Sequence, residues 1–138
     1  MASRDDMAAR CNRIEEAYEF MLAYAAQGLA SDQGSSNGAQ VREFLSALDT
    51  ALLGLGDVFR AVVAAEEAPH ADRYHAYIEV LDRDAATARA AVRLVLAQPG
   101  ISSQMVDNLN ASIHLRALLT DVFLVDEVLK SQGLGARV

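Results

Sequence analysis

Apolar residues recur at alternating spacings of four and three along this chain, and that rhythm constrains the fold more than any other feature of it. Met7, Cys11, Ile14, Tyr18, Met21 and Ala25 form one such seam. Val41, Leu45, Leu48, Leu52, Leu55, Phe59 and Val62 form a second; Tyr74, Ile78, Leu81, Ala85, Ala88, Val92 and Val95 form a third. With about 3.6 residues per turn, this spacing lines up side chains on one face of an α-helix. Period-two alternation is absent, so the sequence carries no strand signal.

Three breaks divide the chain: the polar, glycine-rich ASDQGSSNGAQ at 30–40, Pro69 and Pro99. They leave helices expected at about 4–29, 39–67, 70–98 and 103–132, with a flexible polar loop over 30–38. Ser3 with Asp6, Asn37, and Ser102 or Ser103 are candidate caps; Pro69 suits a first turn, and Gly133 and Gly135 mark a stop. Each segment would be roughly 40 Å long. Similar lengths and short connections predict an all-α, single-domain, up-down-up-down four-helix bundle.

Composition narrows the functions. The 138 residues suffice for one domain and one core. A net charge of −7 argues against tracking nucleic-acid phosphates or docking on anionic lipid. Cys11 is the single cysteine, which excludes an intrachain disulfide and a multi-cysteine zinc site. The opening MASRDDMAAR carries Asp5 and Asp6 without a long apolar run, and no uncharged apolar stretch is long enough to cross a membrane. A cytoplasmic protein is expected.

The fourth segment is unusual, because SIHLRALLTDVFLVDEVLK, from Ser112 to Lys130, is apolar on nearly every side. Counted at about 100° per residue from Val106, Ile113, Ala117, Thr120, Leu124 and Val128 share one face and fit a bundle core. Leu115, Leu118, Val122, Val125 and Leu129 make a second stripe, the expected interface with a second copy or a protein partner; the alternative is that this helix is more central than its neighbours and the stripe belongs to the core. On the first expectation Val122→Glu gives a monomer, provided the single chain stays folded. Arg116, Asp126, Glu127 and Lys130 share the remaining sector with Leu119 and Phe123.

Candidate chemistry is sparse. Glu67-x-x-His70 resembles half of a di-iron motif, but Pro69 lies between the two residues and no second copy of the motif exists. Asp72, His75, Glu79 and Asp82 form a stripe that could ligate a metal, although a charged flank is ordinarily a solvated face. Asp107, Asn110, His114 and Asp121 share a sector between the two stripes, where a histidine ordinarily bonds a polar neighbour. Cys11 lies on a core seam and reads as structural. Gly54 and Gly56 suggest a kink or close crossing; Tyr18, Tyr24, Tyr74 and Tyr77 read as packing or cavity lining.

No catalytic set is legible and no cofactor is implied. The expectation is therefore a non-enzymatic bundle acting through protein contacts and self-associating through its last helix. The alternative is a small-molecule- or metal-binding bundle using His75 or His114 with nearby carboxylates, Glu79 among them; a scaffold component is the weaker third reading.

Overall fold

The computed structural model describes residues 2–34 and 36–134, and among these it is all-helical with no strand. The helices are α1 (Ala2–Ala26), α2 (Ser36–Leu52), α3 (Leu55–Ala65), α4 (Ala71–Leu96), α5 (Ser103–Ala111) and α6 (Ile113–Ser131). Two of the expected helices are each broken into two. Gly135 lies outside the described residues, as does the side chain of Asn37. α2 begins at Ser36, so Asn37 falls inside its first turn.

The first break lies at Leu53–Gly54. Gly54 takes φ 71°, a left-handed conformation that glycine adopts without a Cβ clash. The last carbonyls of α2 are thereby left without helical partners. The Arg10 guanidinium of α1 supplies them, donating to Ala51 O at 3.2 Å and to Leu53 O. The second break is Ser112, whose backbone is extended at φ −64°, ψ 143°. Its hydroxyl donates to Leu109 O at 2.7 Å and accepts from Leu115 N at 3.2 Å. One serine thus closes α5 and caps α6.

α1 packs on α2, α3 and α5, while α4 packs on α2, α3 and α6. The seam residues meet between them. Met7, Cys11, Ile14 and Met21 are buried, and so is every named residue of the second seam. Ala17 and Tyr24 are also buried, while Tyr18 and Ala25 are only partly covered, because the burial follows a helical period slightly longer than the strict four-three alternation.

One end of the molecule is tied by a polar clasp. Asp32, in the α1–α2 connection, accepts from Arg42 Nε at 2.7 Å and from Ile101 N at 2.7 Å. Arg42 also donates to Leu96 O and Gln98 O at the end of α4. Tyr24 OH donates to Ile101 O at 2.7 Å, and Ser103 Oγ donates to Tyr24 O at 2.6 Å. Leu29 and Ser103 exchange two further bonds. Every one of these polar groups is thereby satisfied where water is excluded.

Candidate functional site

The two apolar stripes of α6 exchange the roles expected of them. Leu115, Leu118, Val122, Val125 and Leu129 are at most 4% exposed within the single chain. They face α4 and the core, so they are not the free face that a second copy would meet. The stripe that faces water is the other one: Ile113 is 76% exposed, Leu124 48% and Val128 40%. The reason is Ser112. An angle counted from Val106 holds only along an unbroken helix, and the extended residue at 112 resets the phase. It follows that Val122→Glu would place a carboxylate in the core and unfold the chain, rather than give a folded monomer.

Beside the outward stripe, α4 and α6 enclose a cleft of about 340 Å³. Tyr74 and Tyr77 of α4 form one wall, Leu124, Val125 and Val128 of α6 the other. Pro69, His70, Arg73 and Gln132 stand at its rim. The α3–α4 corner that supplies the rim is strained. Glu67 and His70 both take left-handed backbone, φ 51° and 63°, without being glycine. His70 therefore precedes α4 rather than opening it, and the expected Pro69 first turn lies just outside the helix.

Behind the Tyr77 wall lies a buried carboxyl. Tyr77 OH donates to Asp121 Oδ1 at 2.7 Å, and Asp121 is 4% exposed. Its other oxygen, Oδ2, is buried with no hydrogen-bond partner. Burial, and then the neighbouring Asp84 carboxyl, push the Asp121 pKa up to about 6 against the pull of the Tyr77 hydroxyl. The hydrogen bond to Asp121, and then burial, push Tyr77 up to about 12. Protonation of Asp121 removes the cost of a buried, unpaired negative oxygen at this point.

The other sequence candidates do not converge. His75, Glu79 and His114 are all exposed, the first two on one face of α4 and His114 on α6. Asp82 is engaged by Arg60 Nη2 at 2.5 Å, leaving Asp72, His75 and Glu79 as a solvated flank. Of the sector between the stripes, Asp107 and His114 face water while Asp121 turns inward. Among the described residues no three His, Cys, Asp or Glu side chains are placed to hold a metal ion. Cys11 is buried, and burial chiefly pushes its thiol up to about 12, which suppresses the reactive thiolate. Gly56 lies against the Asp82 side chain, a close helix crossing of the kind its sequence position suggests.

Sequence reading offered Tyr74 and Tyr77 as cavity lining but missed the α6 wall opposite them and the Tyr77–Asp121 bond. Tyr77 follows Tyr74 at helical spacing, and Asp121 interrupts an apolar run; those were the available signals. Among the described residues no helix is long and apolar enough to cross a membrane. Comparisons with family models, with curated proteins and with solved structures find no match to this chain.

Proposed function

We propose that the protein is a non-catalytic helical bundle that works by contact and self-associates through the outward stripe of α6. The six helices are read as four antiparallel rods, two of them broken, in up-down-up-down order. A cytoplasmic setting is the reading that its single buried thiol favours.

The observation that carries the proposal is the run of Ile113, Thr120, Leu124 and Val128 facing water, with the half-buried Ala117 among them, over about 22 Å of helix. A two-fold axis near Thr120 sets α6 antiparallel to α6 of a second copy. Ile113 then lies opposite Val128 of the second copy, and Ala117 opposite Leu124, large beside small. On the flank, Arg116 lies within one turn of Glu127 of the second copy, offset by about 3 Å along the axis. Neither of these charges has an ion pair within its own chain among the described residues.

Full burial is worth roughly 1.5–3 kcal/mol for each large apolar side chain, and these three are already partly covered. Association costs about 4–15 kcal/mol, so the stripe supports only a weak dimer, of roughly tens of micromolar to millimolar strength. Sedimentation or light scattering from micromolar to millimolar concentration tests this. The wild type is expected to pass from monomer to dimer, and Ile113→Glu to stay monomeric with unchanged helicity, since position 113 is exposed. A wild type that remains monomeric at millimolar concentration, or an Ile113→Glu variant that still dimerises, overturns the proposal.

A further inference from the structure

We propose that the α4–α6 cleft is a binding site for an amphipathic carboxylate of the medium-chain fatty-acid kind, its chain between the tyrosine and aliphatic walls and its head group at Arg73. This does not rest on self-association.

The cleft has the anatomy of a small-ligand site. Its volume of about 340 Å³ lies at the low end of the roughly 300–1,000 Å³ typical of such sites. Its walls, Tyr74, Tyr77, Leu124 and Val128, offer ring faces and branched aliphatic groups. The one polar atom that Tyr77 could turn toward a guest, its hydroxyl, is already committed to Asp121. At Tyr77 the wall is therefore apolar, as it is along Leu124, Val125 and Val128, and there an apolar chain is accepted without leaving a donor unpaired.

The rim has the opposite character. Arg73 has no ion pair among the described residues, a state it shares with Arg13, Arg83 and Arg116, and of these four it alone lines the cleft. A guanidinium presents parallel donors that fit a carboxylate in two-pronged fashion. His70 stands beside it at the same rim. The backbone that carries His70 is held in left-handed conformation at φ 63°, three residues after Glu67 at φ 51°. Between them Ala68 is buried and donates to Val63 O at 3.0 Å, so the corner is pinned despite its strain. Backbone strain of this kind gathers at ligand clamps, where a fixed edge is needed before the ligand arrives.

One cation at the mouth of an apolar slot reads a monoanion with a tail. An alcohol of the same length fills the slot but leaves the guanidinium unanswered. Titration calorimetry with decanoate and decanol, on the whole chain, separates these contributions. Decanoate is expected to saturate at one per chain and to bind at least tenfold more tightly than decanol. Arg73→Gln, at an exposed position, is expected to bring decanoate down to the decanol level without loss of helicity. The same series on the Ile113→Glu background, which leaves the cleft untouched, keeps the result independent of any dimer. Absence of saturable uptake, decanol binding as tightly as decanoate, or decanoate binding that Arg73→Gln leaves unchanged each overturns the proposal.

Discussion

Asp32 and Asp121 are both buried carboxyls, and their neighbours drive them in opposite directions. The Arg42 guanidinium, and then the Ile101 amide, hold Asp32 below its ordinary value. Its contribution to stability is present above the unfolded carboxylate range and is lost as pH falls through the lowered native value. Asp121 has the reverse sign. Its raised pKa means that the native state holds the proton more tightly than the unfolded chain does. Stability is therefore greatest below about pH 4 on this account and falls as pH rises through about 6, by on the order of 2–3 kcal/mol. Asp121→Asn replaces the titrating group by one that can accept from Tyr77 and donate to Asp84. The variant is expected to be more stable than wild type at pH 8, by about 1–3 kcal/mol, and to lose the slope between pH 4 and 6. Urea midpoints at pH 5 and pH 8 measure both. An Asp121→Asn variant weaker than wild type at pH 8 would show that the orphaned oxygen is not the source of the slope.

Among the helices, glycine contacts distinguish close approaches that tolerate a methyl group from those that do not. In the first turn of α2, a Cβ at Gly38 would overlap the backbone carbonyl of Asp32. In α3, a Cβ at Gly56 would overlap the Asp82 carboxylate, the free end of a side chain. Alanine gains about 1 kcal/mol over glycine in a helix interior. At position 56 Asp82 can rotate away, giving up a half-exposed pair with Arg60 worth about 0–1 kcal/mol, so Gly56→Ala is expected to be near neutral. At position 38 only the loop backbone can yield, so Gly38→Ala is expected to lose about 1–3 kcal/mol by urea denaturation. Equal midpoints for the two variants would contradict this. The sequence made the helices legible wherever one apolar seam had one polar flank, as along Val41 to Val62. It failed at Ser112 because two local signals competed: a good cap residue stood inside an unbroken apolar rhythm, and the rhythm was followed. Every angle beyond that point was then measured from the wrong origin. The cleft was illegible for another reason. Tyr77 and Asp121 are 44 positions apart, and periodicity within one helix carries no record of what a second helix presents to it.

At the scale of the whole molecule, the two ends differ. One holds the strained corner at 66–70 and the mouth of the cleft. The other holds the clasp, in which Asp32 joins the α1–α2 connection to the start of α2, and through Ile101 to the segment before α5. Its bonds to Ile101 and Ser103 span sequence separations of 69 to 79 residues between the first and last thirds of the chain. Contacts that remote close only after the long helices have come together. The clasp therefore belongs to the late part of folding, on the native side of the barrier. In stopped-flow kinetics, Asp32→Ala is expected to raise the unfolding rate by about tenfold or more and to leave the refolding rate nearly unchanged. Slowed refolding with an unaltered unfolding arm would place the clasp in the folding nucleus instead. On the expected outcome, the clasp sets how long a folded molecule survives before it opens, while the helices that assemble earlier set how fast it forms.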